Sequence, residues 1–163
     1  MVTDLKPLNA RFSLLCYDFD GVMTDNRVLV DEEGKEAVWV NRSDGLAISA
    51  LRKAGIPQVI LSTERNPVVA ARAKKLDIPV VQGLSDKAAT LKSYAQEGGF
   101  DLAHIVFIGN DVNDLEAMTL VGCPVAPSDA HPSIIALARH VTKAAGGQGV
   151  IREFCETFFP GIL

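Results

Sequence analysis

Asp18, Asp20 and Asp25 place three carboxylates within eight residues, directly behind the apolar run Ser13-Leu14-Leu15-Cys16-Tyr17. A strand that looks headed for a core and ends in clustered negative charge needs a compensating partner. Like charges repel, and buried ones lose their hydration. Asp18 and Asp20 are two positions apart, so both reach one edge as the strand gives way to a turn. Asp111 and Asp114 arrive from a later segment, Gly109-Asn110-Asp111-Val112-Asn113-Asp114. A hard divalent cation with oxygen ligands would neutralise this group. Magnesium suits it, because it needs only one or two protein carboxylates, with waters and a phosphate completing its shell. Lys87 supplies a cation of the kind that stabilises charge building on a phosphoryl group, and Ser62-Thr63 supplies hydroxyls. Taken singly, Lys87 reads as a solvated helix lysine and Ser62 as a turn hydroxyl. In series with the carboxylates, they suit phosphoryl transfer through a covalent aspartyl-phosphate.

The elements that must position these groups alternate along the chain. Apolar runs of strand length fall at 13–19, 57–62, 79–82, 104–109, 123–126 and 140–142. Helical patterns lie between them. One carries Leu46, Ile48, Ala50, Leu51 and Ala54 and closes at Gly55. A second opens at Asn66-Pro67 and runs to Leu76. Ser85 is expected to cap a third, ending near Gly98-Gly99. Asp111 or Asn113 opens a fourth, and a last helix covers 149–158. This alternation predicts an α/β fold, a Rossmann-like three-layer sandwich around a central parallel sheet. One stretch breaks the pattern. Residues 27–41 read as a β-hairpin insertion after the first strand, with Val28-Leu29-Val30, a Glu33-Gly34 turn and Ala37-Val38-Trp39-Val40. In open α/β sheets ligands bind beyond the carboxyl ends of the strands. Asp18 and Asp20, Ser62 to Glu64, Gly83 to Lys87 and Gly109 to Asp114 are therefore expected to meet on one edge.

Composition excludes several classes. The 163 residues are 48% hydrophobic and 22% charged, in the range of a soluble globular domain with a real core. A formal charge of −4 gives no basic field to gather nucleic acid or anionic membrane. No apolar run approaches the ~18–20 residues of a membrane span, and residues 1–13 lack the apolar stretch of a secretory signal. Cys16, Cys123 and Cys155 are odd in number, scattered and in no metal-type spacing, so reduced thiols in the cytoplasm are expected. The whole chain, 1–163, reads as a single domain used up by its core.

Asp18-Phe19-Asp20-Gly21-Val22-Met23-Thr24 resembles the first motif of the haloacid dehalogenase superfamily of phosphatases. Ser62, Lys87 and Gly109 to Asp114 resemble the second, third and fourth motifs in order and approximate spacing. The hairpin insertion, Gln82-Gly83-Leu84-Ser85-Asp86-Lys87, Ser128-Asp129-Ala130-His131-Pro132 and Ala144-Ala145-Gly146-Gly147-Gln148-Gly149-Val150-Ile151-Arg152-Glu153-Phe154 narrow this further. They resemble the 3-deoxy-octulosonate 8-phosphate phosphatase subfamily and its relatives acting on nine-carbon sialic-type sugar acids.

The resemblance implies roles. Asp18 would be the nucleophile. Asp20 would protonate the leaving sugar oxygen and then activate water. Backbone N–H groups after Asp18, with Ser62 and Thr63, would hold phosphate oxygens, and Lys87 would pair with phosphate and Asp18. Magnesium would be held by Asp18, the backbone carbonyl of Asp20 and a group from Asn110, Asp111 or Asp114. The family usually carries Asp where this chain has Asn110, which offers oxygen but no charge; Asn here resembles the sialic-type branch. Octulosonate phosphatases tend to carry Gly-Arg after the second motif where this chain has Thr63-Glu64, and Glu there again resembles the sialic-type branch. Glu64 is expected to pair with Lys75 and shape the pocket. Asn41 or Arg42 would contact the sugar carboxylate, and Asp44 would contact substrate or cap the helix it opens. The family lacks a cap domain and closes its sites as a homotetramer, with hairpins at the centre. The glycine loop and Arg152 would reach a neighbouring subunit's site. The expected function is a magnesium-dependent phosphatase of a 2-keto-3-deoxy sugar acid phosphate, with a nine-carbon 9-phosphate ahead of an eight-carbon 8-phosphate. Two other classes compete. A receiver-like signalling domain also sets a phospho-accepting Asp on a parallel sheet, although Asp-x-Asp and the hairpin argue against it. A non-catalytic tetramerisation module associated with a sialic acid cytidylyltransferase is kept open by Asn110.

Overall fold

A computed structural model describes residues 12–163; the expectation for residues 1–11 lies outside the described residues. Leu14–Tyr17 (β1) is buried at every position and leads through a hairpin, Leu29–Val30 (β2) and Glu36–Ala37 (β3), to the helix Arg42–Lys53 (α1). Gln58–Leu61 (β4), Val68–Leu76 (α2), Val80–Val81 (β5) and Lys87–Gly98 (α3) follow. The second half runs Ile105–Ile108 (β6), Leu115–Leu120 (α4), Cys123–Ala126 (β7), Pro132–Leu137 (α5), His140–Val141 (β8) and Val150–Phe158 (α6).

Six strands form one sheet in the order β5-β4-β1-β6-β7-β8, every neighbouring pair parallel. Cys16 stands in register with Val59 on one side and Phe107 on the other. Parallel strands need crossover helices, and the helices bury both faces of the sheet, which is why the strands read as continuous apolar runs. The pleat sends alternate residues to opposite layers. Leu15 and Tyr17 join a core with α1, α2 and α6 that includes Ile48, Val69 and Phe154. Leu14 and Cys16 join a second core with α3, α4 and α5 that includes Leu91, Met118 and Ile134. The result is the three-layer α/β sandwich expected from the alternation. The chain builds outward from β1 to β4 and β5, then returns to the other side of β1 with β6. That reversal opens a crevice at the carboxyl ends of β1, β4 and β6.

Three local expectations are corrected. Asp86, not Ser85, caps α3, its carboxylate accepting from the Ala89 amide at 2.8 Å. The hairpin pairs only two residues on each side, with Thr24 and Val40 forming a separate bridge at its base. Its turn is tied by Asp31, whose side chain accepts from the amides of Glu33 and Lys35. Finally, α5 went unread: at six residues with only Ile134 buried, it is too short to display a helical period. Cys16, Cys123 and Cys155 are unpaired and buried. Among the described residues no helix is long and apolar enough to cross a membrane.

Candidate active site

Asp18 continues β1 past its last strand residue, its amide donating to the Ile108 carbonyl at 2.9 Å. Lys87 is the first residue of α3, aimed across the carboxyl edge by the Asp86 cap. Its Nζ donates to Asp18 Oδ1 at 2.7 Å and to Asp114 Oδ1 at 2.6 Å. The lysine and Asp114 side chains are almost fully enclosed. Burial pushes the Asp18 carboxyl up, to about 7, and the Asp114 charge adds to this while Lys87 opposes it. Burial works against the charged Lys87, but the two carboxylates outweigh it and hold the ammonium above its ordinary range. Two carboxylates sharing one buried cation are compensated only in part, so the site retains attraction for a further positive charge.

Asp114 does not face that further charge. Its Oδ2 accepts from the amides of Asn110 and Asp111, at 2.9 and 3.3 Å, and so folds the loop after β6. Asp111 caps the short 3-10 turn that follows, accepting from the Val112 amide, and also lines the cavity beside Asp18 and Asp20. Both Asp114 oxygens are thus taken up by the loop and by Lys87, whereas Asp111 stays at the cavity. Asn110 takes the facing position. The forward atom of its side-chain amide stands 2.9 Å from Asp18 Oδ2 and 2.8 Å from the Asp20 backbone carbonyl. With nitrogen forward, the amide donates to both; with oxygen forward, three oxygens converge as a cradle for a hard cation. The cradle holds one carboxylate, one carbonyl and one amide, the donor set that leaves waters and phosphate to complete a magnesium shell. Gly21 makes this approach possible. It sits at φ +83°, and a Cβ there would fall 1.9 Å from the Asn110 amide. Among the described residues no three His, Cys, Asp or Glu side chains group as a metal site; the cradle offers one carboxylate and two neutral oxygens.

Ser62 follows β4, is buried, and accepts from the Glu64 amide at 3.1 Å. Thr63 faces Asn113 across the opening at 3.4 Å. A cavity of about 80 Å³ lies between Asp18, Asp20, Asn26, Ser62, Thr63 and Asn110. Asp20 is half-buried at its rim. Burial, and then the Glu64 charge, push its carboxyl up, which favours the protonated form a general acid needs. The Thr24 hydroxyl donates to Asp20 Oδ1 at 3.4 Å and accepts from the Gly21 amide. Thr24 is fully buried, and its part in holding Asp20 was not singled out from sequence, although it stands in the same quoted motif.

The expected substrate residues divide. Asn41 caps α1, accepting from the Ser43 amide, and its Nδ2 reaches the Gly147 carbonyl. Arg42 and Lys75 lie with Arg52, Arg72 and Leu46 around a cavity of about 530 Å³ between α1 and α2. The Glu64–Lys75 ion pair does not form; Glu64 folds back to accept from the amides of Arg65 and Asn66. Asp44 does not cap α1. Its carboxylate crosses to α6 and accepts from the Arg152 amide at 2.9 Å. The Arg152 guanidinium pairs with Glu156 on its own helix, and the glycine loop packs on the chain's own residues 21–25.

Comparison with known proteins gives the family and the fold. Residues 70–154 match the family model of haloacid dehalogenase-like hydrolases. The chain is 34% identical over 148 residues to the 3-deoxy-D-manno-octulosonate 8-phosphate phosphatase of Yersinia pestis, covering 90% of this chain and 79% of the relative. A crystal structure described as a HAD family hydrolase from Streptomyces avermitilis superposes with a TM-score of 0.92 at 48% identity, covering 94% of this chain and 95% of that one. The Moraxella catarrhalis 3-deoxy-D-manno-octulosonate 8-phosphate phosphatase, solved with magnesium, phosphate and its sugar acid, superposes with a TM-score of 0.91 at 29% identity over 97% of this chain and 91% of that one. With the sheet, the strand-end carboxylates and the bridging lysine in place, these matches set aside the receiver-like alternative: the chain belongs to the haloacid dehalogenase-like hydrolases, within the 3-deoxy-octulosonate 8-phosphate phosphatase family.

Proposed function

We propose that this chain is a magnesium-dependent phosphatase that hydrolyses a 2-keto-3-deoxy sugar acid phosphate through a phosphoryl group carried on Asp18. The observation that carries the reading is the buried Lys87 held between Asp18 and Asp114, beside the cradle of Asp18 Oδ2, the Asp20 carbonyl and Asn110. Asp18, the Asp20 carbonyl and the Asn110 oxygen would hold the cation, which when bound neutralises charge on the phosphate and orients it.

The chain's own groups do the rest. Lys87 holds Asp18 in line and meets phosphate charge. Ser62 and Thr63 line the small cavity where phosphate oxygens would lie. A carboxylate oxygen of Asp18 attacks phosphorus as the ester bond to the sugar breaks, and Asp20 gives its proton to the departing alkoxide. Asp20, now ionised, takes a proton from water as that water attacks phosphorus. The bond from Asp18 to phosphorus then breaks and inorganic phosphate leaves. Glu64 at the rim places a carboxylate where an arginine would seek an anionic group, which favours a nine-carbon acid over the eight-carbon one. The exposed apolar hairpin supports a homotetramer in which neighbours cover the open site, and the buried free thiols suit the cytoplasm.

The test is a panel of eight- and nine-carbon 2-keto-3-deoxy sugar acid phosphates, scored by kcat/KM with magnesium and with chelator. Turnover that needs magnesium and is abolished by Asp18→Asn is expected. A protein that releases phosphate from none of them is the non-catalytic module instead.

A further inference from the structure

Residues 143–149 run past the site between β8 and α6, and backbone amides in this segment are held by carboxylates from elsewhere. Glu153 accepts from the amides of Lys143 and Ala144, both at 2.8 Å. Asp129 accepts from the Gly146 amide at 2.9 Å. At the far end α6 begins at Gly149, which has no side chain to cap the helix. Asp44 supplies that cap from α1, accepting from the Arg152 amide at 2.9 Å. A buried carboxylate on a helix's otherwise unpaired first-turn amide is a charge-assisted contact of the stronger kind. Asp44 is 2% exposed, and its second oxygen has no hydrogen-bond partner. The arrangement thus accepts the cost of a partly unsatisfied buried acid to hold this one helix start.

What α6 holds in turn is the loop that carries Asp20. The Gly147 amide donates to the Val22 carbonyl at 3.0 Å. Gly146 lies so close to this loop that a Cβ would fall 2.2 Å from the Gly21 carbonyl oxygen, and one on Gly147 would fall 2.5 Å from the Asp25 nitrogen. Thr24, whose hydroxyl steadies Asp20, is under the same clasp, with its carbonyl oxygen 3.0 Å from the position of a Gly146 Cβ. We infer that Asp44 is a positioning residue for the reaction: its carboxylate pins the first turn of α6, α6 pins the glycine clasp onto residues 21–25, and that loop aims Asp20. The inference rests on the phosphatase reading for its kinetic consequence and on the contacts alone for its structural one.

Asp20 is needed twice, to protonate a poor leaving group and to activate water. A 4-nitrophenyl ester leaves without protonation, so it needs Asp20 only in the second step. In Asp44→Ala, rapid-quench measurements with 4-nitrophenyl phosphate should show the first turnover of nitrophenolate formed at the wild-type rate, with a burst amplitude at least that of wild type, followed by turnover slowed at least about 10-fold. With the sugar acid phosphate the first step itself should slow by a similar factor, KM changing less than kcat. Asp44→Asn keeps an accepting oxygen and should recover most of the loss. Asp129→Ala, at an exposed position, should give a smaller loss of the same form and guards against a misfolded Asp44→Ala. Equal losses in the burst and in both steady states, or no loss in either variant, overturn the inference. If wild-type protein hydrolyses no sugar phosphate, the phosphatase reading falls, and hydrogen exchange still decides the contact chain. Faster exchange at Gly147 in Asp44→Ala supports the clasp, and unchanged exchange there overturns it.

Discussion

The carboxyl edge of the sheet and the hairpin that leaves it are inverted versions of one another. At the edge, Asp18, Lys87 and Asp114 are charged and buried, and each finds partners within the chain. A few residues on, Val28, Leu29, Val30 and Trp39 are apolar and exposed, from 50% to 76% of their surface in water. The first pattern is costly unless every charge is matched, and here one ammonium from the same chain offsets one of the two carboxylate charges. The second is a set of exposed apolar side chains on a two-stranded hairpin, an arrangement that is marginal alone. Chemistry is assembled within the chain; in the proposed tetramer, shelter for that chemistry would come from neighbouring copies. The contrast predicts that changes at the edge act on one molecule, whereas changes at the hairpin act on the assembly.

The largest effect is expected at Lys87. Lys87→Met removes the shared cation and leaves Asp18 and Asp114 buried together. Unfolding in urea should show a loss of about 3–5 kcal/mol at neutral pH, and phosphate release should fall by at least about 1,000-fold. Lowering the pH should restore part of the stability, because a proton on Asp18 then replaces the missing ammonium. A variant as stable as wild type at pH 8 would break the contrast, since the edge would not depend on internal matching.

At the hairpin, Leu29→Ser with Trp39→Ser removes two of the most exposed apolar side chains without touching the core. Stability of the single chain should change by less than about 0.5 kcal/mol. Sedimentation should instead show the proposed tetramer falling to smaller species, with turnover reduced up to about 100-fold as the site opens to water and loses its alignment. Unchanged mass would mean that the hairpin serves some other partner or none.

Asn110 sharpens the comparison on the edge side. Its amide can close the cradle with nitrogen forward, so the metal-free edge is satisfied without a cation. Asn110→Asp removes that donor and adds a charge beside Asp18. Calorimetry should show magnesium binding about 10-fold tighter, and the cation-free protein should lose about 1–3 kcal/mol. Equal affinity in the two proteins would place the cation elsewhere.

The edge was far more legible in the sequence than its supports. Four-residue strands buried on both sides announce themselves as apolar runs, and a polar residue directly after each run lands on the edge by topology alone. Asp18 and Ser62 follow their strands in this way; Lys87 and Asn110 lie further along their loops and gained weight only from their place in the series and from the family resemblance. Partner choice was not legible, because it depends on distances along the chain that no local pattern records. Asp44 meets an amide 108 residues away, and nothing in Ser43-Asp44-Gly45 distinguishes it from a cap on its own helix. Glu64 and Lys75 are spaced so that a pair is plausible, yet Glu64 finds two backbone amides at closer range. Nearby amides cost a side chain less entropy than a distant lysine does.

Asp44 also provides the smallest effect, and one with a definite sign. Burial pushes its carboxyl up to about 6, against the amides of Arg152 and Ile151 and the Arg72 charge, which pull it down. An unfolded Asp titrates near 3.9. Between about pH 4 and pH 6 the folded state therefore binds more protons than the unfolded chain, and the contribution of Asp44 to stability declines as pH rises through that window. Asp18, displaced in the same direction, has the same sign, so wild type alone cannot isolate the term. The difference between wild type and Asp44→Asn can. Asparagine keeps an oxygen for the Arg152 amide and cannot ionise. Its unfolding free energy should therefore decline less between pH 4 and pH 7 than that of wild type, with a gap of about 1–2 kcal/mol opening in favour of the variant. Parallel curves would mean that Asp44 is already ionised at pH 4, held there by Arg72 more firmly than its burial resists.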